Sequence, residues 1–306
     1  MGQHLVPRLR DLGHEVCILD VRDSDRRDPT VEFVAGSVAD KAAVEAAVTG
    51  ADAVIHLASS VVPKTSNDDP AHDVSSNLIG TLNLLEASAG AGVKRIVFAS
   101  SGGTVYGEPT VPRVDESHPT EPISSYGIVK LALEKYIALY SREHGLTSVS
   151  LRISNLYGEG QRHDTGFGVI ASFCHKAVTG ATVEIWGDGT VSRDFIHVSD
   201  VVDAFVAALD HDGESLVVNI GSGTSVSINT VLDTIATIVG REVPRRYLQG
   251  RAFDVKHTCL DIGLAARTLG WTPKIDLNEG LRRVLERSQS PANRPSAREI
   301  DSSTEI

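Results

Sequence analysis

The first half of the chain alternates short apolar runs with longer segments of helical periodicity, and this alternation constrains the fold more than any other feature. The apolar runs, each predicted to be a strand, lie at 16–20, 32–34, 53–57, 95–99 and 147–153. Helices are predicted at 5–12, 41–48, 77–91 and 126–144. Continuous apolar strands that alternate with helices are typical of a parallel sheet buried on both faces. We therefore predict an α/β fold with a doubly wound parallel sheet.

The second half of the chain has a looser pattern. Helices are predicted at 167–178, 200–209, 228–239 and 277–287, and strands at 183–186 and 216–220. Short strands and glycine turns of this kind suit a smaller α/β lobe. We predict one domain at 1–155, to which 195–222 returns, and a second lobe made of 156–194 and 223–287, whose mixed pattern would suit a substrate lobe. The polar segment 288–306, rich in Ser, Pro and charge, is predicted to be a disordered tail.

Composition excludes several classes of partner. The net charge of −11 argues against a general binder of nucleic acid or anionic membranes. The three cysteines, Cys17, Cys174 and Cys259, are far apart and lack metal-type spacing, which favours a reducing compartment and no metal site. No segment has the features of a signal peptide or a membrane span. These features predict a cytoplasmic protein.

Tyr126 and Lys130 form the most informative pair of side chains in the sequence. Residues four apart share one face of a helix, so the phenol and the ammonium would point into the same space. An ammonium near a phenol favours the phenolate, and a depression of about 3 units from the ordinary tyrosine pKa would make Tyr126 a base near neutrality. The strand at 95–99 ends in Ser100 and Ser101, either of which can relay a proton. A strand, a polar turn and a helix in this order indicate an active site at the carboxyl edge of a sheet.

An ordered series of motifs runs from Gly2 to about residue 285 and carries a resemblance to a known family. The motifs lie at 54–58, 77–81, 100–107, 126–130, 151–158, 187–189, 193–198, 219–223, 251–255 and 269–271. In them the chain resembles the extended short-chain dehydrogenase/reductases with a Rossmann fold, specifically the NAD-dependent nucleotide-sugar epimerases and dehydratases. It is most similar there to the 4-epimerases that act on UDP-glucose and UDP-galactose.

The resemblance implies roles for individual residues. It makes Tyr126 the catalytic base, Lys130 its partner and a ribose contact, and Ser101 the hydroxyl relay, with Ser100 as the alternative. It makes Asp20 the acidic residue that binds the adenosine ribose, which implies NAD rather than NADP. The remaining residues that it implies for the cofactor are Gly2, Val38, Leu57, Ala58, Asn77 and Ser100. Those that it implies for a nucleotide-diphosphate sugar are Ser101, Tyr126, Asn155, Arg193, Arg251 and Thr258.

The segment after Ser101 bears on the type of reaction. Dehydratases of the family place an acidic pair there, and decarboxylating members place a Glu there, whereas this chain has Gly102, Gly103 and Thr104. A general acid must be within hydrogen-bond reach of its target. We therefore predict epimerisation at C4 through a transient 4-keto sugar. Thr258 stands where members restricted to unmodified hexoses carry Tyr, so N-acetylated sugars are expected to be accepted. The alternatives are another dehydratase or reductase of the family, or a non-catalytic homologue.

One departure from the family lies at the beginning of the sequence. The family starts with a strand and a Gly-x-x-Gly-x-x-Gly loop that cradles the cofactor diphosphate, and Gly2 matches only the last of these glycines. The first strand is therefore expected to be missing. Two explanations stand: the true start lies upstream of Met1, or this is a degraded paralogue that binds NAD poorly.

Two helices are predicted to have more than one apolar face. The apolar residues of 77–91 and 126–144 spread around much of each helix, which indicates burial on more than one side. We predict a homodimer through these two helices, the common symmetric assembly. The alternative is a monomer in which the second lobe covers the same faces.

Overall fold

The structure, a computed structural model, describes residues 1–24, 27–61, 65–163, 168–250 and 255–289. Within these ranges the α-helices are α1 (Gly2–Asp11), α2 (Lys41–Val48), α3 (Pro70–Asp73), α4 (Gly80–Gly90), α5 (Ser125–His144), α6 (Val169–Thr179), α7 (Val198–Asp210), α8 (Ile228–Val239), α9 (Gly263–Thr268) and α10 (Leu277–Gln289). The strands are β1 (Cys17–Asp20), β2 (Glu32–Ala35), β3 (Ala53–His56), β4 (Arg95–Ser101), β5 (Thr147–Ile153), β6 (Asn155–Tyr157), β7 (Val183–Trp186), β8 (Ser192–His197), β9 (Leu216–Ile220), β10 (Ser225–Ser227) and β11 (Arg245–Leu248). None of these helices is long and apolar enough to cross a membrane.

The centre of the molecule is a parallel sheet with the strand order β3-β4-β5-β9. β1 and β2 pair in parallel as a separate two-stranded sheet. Among the described residues no strand pairs with the second edge of β1 or of β3, so the sheet is interrupted between them. In a doubly wound sheet the first strand of the family occupies this position. The predicted doubly wound α/β fold is confirmed.

Helices cover both faces of the central sheet. On one face Ile96 and Phe98 of β4 pack against Val129, Leu133 and Ile137 of α5. On the opposite face Val97, Ala99 and neighbouring strand residues pack against α1 and α7. Successive residues of a strand point to opposite faces, and this alternation explains why β4 is apolar throughout. The carboxyl end of β4 is thereby held between two helical layers.

A second apolar cluster forms a core in the second half of the chain. It joins α6, α8 and α10 to β7 and β8. Four strands of the second half, β6, β8, β10 and β11, were not predicted, because none has the continuous apolar composition of the central strands. The division into domains remains a prediction. Ser288 and Gln289, placed in the predicted tail, belong to α10, and the rest of that segment lies outside the described residues.

The helix predicted at 77–91 differs from the observed structure. Helical backbone begins at Pro70, where the Asp69 side chain accepts a hydrogen bond from the backbone of His72, and Val74–Ile79 then forms a π-helical turn before α4. Gly80 follows the turn, and a Cβ at that position would lie 2.8 Å from Cγ2 of Val38. The close approach explains the glycine. The other predicted elements are present, with differences only at their ends.

Candidate active site

Helix α5 presents Tyr126 and Lys130 at the carboxyl end of β4. The Ser124 hydroxyl caps the helix by accepting a hydrogen bond from the backbone of Gly127 at 3.2 Å. Lys130 is buried, and its Nζ donates a hydrogen bond of 2.8 Å to the carbonyl of Ala99 in β4. The same ammonium lies 5.5 Å from the centre of the Tyr126 ring. The structure therefore brings the two predicted side chains together.

Burial makes Lys130 unusually easy to deprotonate. Loss of solvent lowers its pKa to about 8, against the opposing charges of Asp73 and Glu134. The ammonium also lies 4.7 Å from the centre of the Phe98 ring, a cation–π distance. A lysine in this state can change its charge close to physiological pH.

The pKa of Tyr126 departs from the prediction. Burial raises it to about 12, and the negative charge of Asp73 raises it further. Lys130 lies over the tyrosine ring and directs its hydrogen bond to Ala99. The prediction that Lys130 lowers the tyrosine pKa therefore does not hold for the side chains of this chain alone. An additional positive charge is needed to stabilise the phenolate.

The two serines at the end of β4 differ in their environment. Ser100 is buried, and its hydroxyl donates a hydrogen bond of 2.5 Å to Oε1 of Glu134, on the α5 side of the sheet. Ser101 is the next residue of the strand and is half-buried, so strand alternation directs it to the other face. The relay role of Ser101 remains a prediction.

The turn after Ser101 leaves little space at its first position. A Cβ at Gly102 would lie 2.6 Å from Cδ1 of Leu260 and 2.8 Å from the carbonyl oxygen of Arg152. Thr104 follows, and its hydroxyl is buried without a hydrogen-bond partner among the described residues. The carbonyl oxygen of Thr104 would lie 2.8 Å from a Cβ at Gly127, next to Tyr126. Sequence reasoning missed this buried hydroxyl, which only the packing of the turn against α5 reveals.

A buried ion pair lies one turn beyond Lys130. Both carboxylate oxygens of Glu134 accept hydrogen bonds from Arg152, at 3.0 and 2.7 Å. Burial opposes the charge of Arg152, but the hydrogen bond and charge of Glu134 outweigh it, so the pKa of Arg152 is raised. Arg152 also donates to the Tyr106 hydroxyl at 2.9 Å. The network joins α5 to β5 one helical turn after Lys130.

The predicted cofactor residues lie at the carboxyl ends of β1, β2 and β3. Asp20 is exposed at the end of β1, where its side chain accepts a hydrogen bond from the backbone of Arg22 at 3.1 Å. Val38 follows β2 and is half-buried, while Leu57 and Ala58 follow β3. An exposed carboxylate at the end of a parallel strand fits the hydroxyls of an adenosine ribose. The described residues therefore suit a dinucleotide.

Gly2 and Asn77 lie on helical segments rather than at these strand ends. Gly2 is the first residue of α1, and a Cβ there would meet no atom within 4 Å, so the helix N-terminus is open at this point. Asn77 is buried, and its side-chain oxygen accepts a hydrogen bond of 2.9 Å from the backbone of Ser60 in the segment that follows β3. Asn77 is thus a support of that segment as well as a candidate contact.

The predicted substrate residues lie around the turn after β4 and in the lobe. The side-chain oxygen of Asn155 would lie 3.5 Å from a Cβ at Gly103. Arg193, in β8, donates a hydrogen bond of 2.9 Å to the carbonyl of Ser192, and the backbone of Thr258 donates to the same carbonyl at 3.2 Å. These two residues are therefore neighbours. Thr258 is buried, and Arg251 lies outside the described residues.

Sequence reasoning missed a further carboxylate, that of Asp73. It is completely buried next to the first turn of α5 and acts electrostatically on both Tyr126 and Lys130. Its spacing of four residues from Asn77 was the available signal, because that spacing places both side chains near each other on a helix. The π-helical turn that joins them could not be predicted.

Fold and site together define a dinucleotide-dependent α/β enzyme with a tyrosine–lysine helix. Residues 1–221 match the NAD dependent epimerase/dehydratase family. A putative UDP-glucose 4-epimerase of Methanocaldococcus jannaschii is 39% identical, covering 93% of this chain and 94% of that protein. The chain belongs to the NAD dependent epimerase/dehydratase family.

Two solved structures of UDP-glucose 4-epimerases are also similar to this chain. The UDP-glucose 4-epimerase of Thermotoga maritima, solved with UDP-glucose, has a TM-score of 0.90 and 35% identity, with 94% of each chain covered. The UDP-glucose 4-epimerase of Thermus thermophilus, solved with NAD, has a TM-score of 0.88 and 33% identity, covering 95% of this chain and 96% of the other. Both structures therefore match nearly the whole of the chain in fold.

Proposed function

We propose that this protein is an NAD-dependent 4-epimerase of nucleotide-diphosphate sugars of the UDP-glucose/UDP-galactose type. The observation that carries the proposal is the placement of Tyr126 and Lys130 on α5, at the carboxyl end of β4. Full-length similarity to proteins named UDP-glucose 4-epimerase supports it. Fold alone would not be sufficient, because one fold supports many activities.

In this proposal Tyr126 is the base that takes the proton from the sugar 4-hydroxyl, and Ser101 relays it. NAD, when bound, supplies the oxidised ring that accepts and returns a hydride at C4, together with the positive charge that the raised pKa of Tyr126 requires. Lys130 is the proposed ribose contact and, once this positive charge is present, the proposed partner of the Tyr126 phenolate. Gly2, Asp20, Val38, Leu57, Ala58, Asn77 and Ser100 are the residues proposed to hold NAD.

The packing around Gly102 supports epimerisation rather than dehydration. Its missing Cβ would already be too close to Leu260 and to the backbone of Arg152, so no acidic side chain fits there. Gly103 and Thr104 carry no carboxylate either. Without an acidic side chain at these three positions to assist the loss of water, the oxidised sugar is proposed to take up hydride again, on either face.

The lobe is proposed to hold the nucleotide-diphosphate part of the substrate. Arginine can neutralise a diphosphate through two-point contacts, which suits Arg193 and Arg251. Asn155 is proposed to bind on the sugar side, beside Gly103. Thr258, adjoining Arg193 through Ser192, is proposed to leave space for an acetamido group where a tyrosine would not.

A turnover assay tests the proposed function. The purified protein, supplied with NAD and UDP-galactose, is expected to reach an equilibrium mixture with UDP-glucose, without net NADH formation. Conversion to a 4-keto-6-deoxy product would instead indicate a dehydratase. Failure to bind NAD and to convert any of the UDP-hexoses would favour a non-catalytic homologue and contradict the proposal.

A homodimer is the proposed assembly. The outer faces of the two predicted helices carry exposed apolar side chains, with Ile79 49% and Ile128 55% exposed. Tyr136 is also exposed on the second helix, and Val74 is exposed just before the first. Exposed apolar surface of this kind is proposed to be covered by a second copy of the chain.

The protein is proposed to act in the cytoplasm. All three cysteines, one exposed and two buried, are free thiols. Free thiols are stable in a reducing compartment, where nucleotide-sugar substrates would also have to be available to the enzyme.

A further inference from the structure

Asp73 is a buried carboxylate to which the proposed reaction assigns no role. It lies at the end of α3, directly before the π-helical turn, and has a relative exposure of 0%. Burying a carboxylate costs several kcal/mol unless neighbouring groups compensate for the lost water. The burial of this carboxylate beside Tyr126 and Lys130 therefore requires an explanation.

Each carboxylate oxygen of Asp73 accepts a hydrogen bond from a different part of the site. Oδ2 accepts from the hydroxyl of Ser125 at 2.8 Å, and Ser125 directly precedes Tyr126. Oδ1 accepts from the side-chain amide of Asn77 at 2.8 Å. An asparagine amide can point either way, and a carboxylate can only accept, so Asp73 fixes which end of Asn77 faces it.

The oriented side chain of Asn77 also positions a third segment. With its nitrogen held by Asp73, the oxygen of Asn77 faces Ser60 and accepts a hydrogen bond from its backbone at 2.9 Å. Ser60 belongs to the segment after β3 that is proposed to line the NAD site. One carboxylate thus connects the first turn of α5, the π-helical turn and the β3 segment.

The charge of Asp73 also acts on both proposed catalytic side chains. It disfavours the phenolate of Tyr126 and favours the ammonium of Lys130. The other charged or titratable groups that face Lys130 are Glu134 on α5 and His56 on β3. Burial, with a smaller contribution from the charge of Lys130, lowers the pKa of His56 to about 3, so His56 adds no charge near neutrality.

We propose that Asp73 is a positioning residue, which holds the Tyr126 helix terminus and Asn77 in place and supplies the negative charge that balances Lys130. The proposal rests on the epimerase function proposed above. The carboxylate has two opposing effects. It favours the buried Lys130 as an ammonium, and it makes Tyr126 less acidic until a bound cofactor adds positive charge.

The test is the pH profile of kcat/KM for Asp73→Asn, which removes the charge with little change in shape. Without the carboxylate, the phenolate becomes easier to form and the ammonium easier to lose. Both limbs of the profile are therefore expected to move to lower pH, by about 1 unit. Limbs that stay in place while activity falls would show a merely structural role and overturn the proposal.

Two matched variants separate charge from structure. Ser125→Ala removes the hydrogen bond and keeps the charge, so it is expected to lower kcat/KM without moving either limb. Asp69→Asn changes the net charge equally at an exposed helix cap and is expected to leave the profile unchanged. If Asp73→Asn does not fold, Asp73→Ser removes the same charge without placing an amide against Asn77, and the same shift is expected.

A spectroscopic measurement keeps this test independent of the proposed function. The phenolate absorbance of Tyr126 can be isolated as the difference between each protein and its Tyr126→Phe counterpart, without any substrate. Asp73→Asn is expected to shift this titration to lower pH relative to the wild type. An unmoved titration overturns the role of Asp73, whereas an inactive wild type with a shifted titration overturns only the epimerase function.

Discussion

Lys130 donates a 2.8 Å hydrogen bond to the carbonyl of Ala99, and this contact joins the second turn of α5 to the carboxyl end of β4. The ammonium is thus held in a fixed place, with its charge surrounded by protein. Function and stability make opposite demands on such a residue, because burial destabilises the charge that the reaction uses.

Replacing Lys130 with methionine is expected to stabilise the fold and abolish turnover. The folded-state pKa of about 8 lies below the ordinary 10.5, so the charged lysine opposes folding near neutral pH by about 3 kcal/mol, of which the lost hydrogen bond offsets about 1 kcal/mol. The gain in unfolding free energy should diminish as pH rises from 8 towards 10.5. Denaturant unfolding measures it, with the exposed Lys135→Met as control.

Replacing Tyr126 with phenylalanine is expected to lower kcat by about 10²–10⁴-fold, the usual contribution of a positioned acid or base. NADH binding, followed by fluorescence, should be retained, because the ring remains. Tyr136→Phe changes an exposed tyrosine of the same helix and should have no effect on turnover. Undiminished epimerisation by the Tyr126 variant would contradict the mechanism.

Three single substitutions identify the relay hydroxyl. Ser101→Ala is expected to lower kcat/KM by about 10²-fold. Ser100→Ala should instead destabilise the fold by about 1–3 kcal/mol, because it removes a buried hydrogen bond to Glu134. Thr104→Val removes a buried hydroxyl that lacks a partner among the described residues, so it should be neutral for stability and turnover. Loss of activity in Thr104→Val alone would move the relay from Ser101 to Thr104.

Thr258→Tyr tests the space for an acetamido group. The wild type is expected to epimerise UDP-N-acetylglucosamine, and the variant should lose this activity while retaining most of its activity on UDP-glucose. Because Thr258 is buried, the larger side chain is also expected to cost about 1–3 kcal/mol of stability. Thr258→Val, close in size, is the control. Equal and negligible turnover of the N-acetylated sugar by wild type and Thr258→Tyr would contradict the proposed role of Thr258.

Ile128→Glu tests the proposed dimer. A carboxylate in an apolar interface is left unpaired, and a penalty of about 3 kcal/mol would weaken association about 100-fold. Light scattering over a dilution series should show a monomer for this variant and a dimer for the wild type. Val111→Glu changes a comparably exposed apolar residue outside the two helices and should remain dimeric. A monomeric wild type would contradict the proposed dimer.

Most of the central fold could be predicted from the sequence, because its strands are buried on both faces. Runs such as 95–99 and 147–153 have a continuous apolar pattern that only a covered parallel strand produces. The short strands β8 and β10 escaped prediction because their pairing depends on distant partners and mixed composition. Local periodicity contains no information about such contacts.

The site was only partly predictable for a similar reason. Tyr126 and Lys130 follow from spacing within one helix, which the sequence displays directly. The raised pKa of Tyr126 depends on burial and on Asp73, from a different element. The opposite faces taken by Ser100 and Ser101 depend on where β4 ends. Such properties arise only when separate elements pack together.

The π-helical turn at Val74–Ile79 makes this segment sensitive to the deletion of a single residue. Deleting one of its residues would restore regular helical winding and rotate everything before it by about 100° around the axis. Asp73 would then swing away from Ser125, and the helix cap at Asp69 would face a new direction. A single-residue deletion here would therefore redirect a whole segment, although the proposed catalytic side chains Tyr126, Lys130 and Ser101 would remain in the sequence.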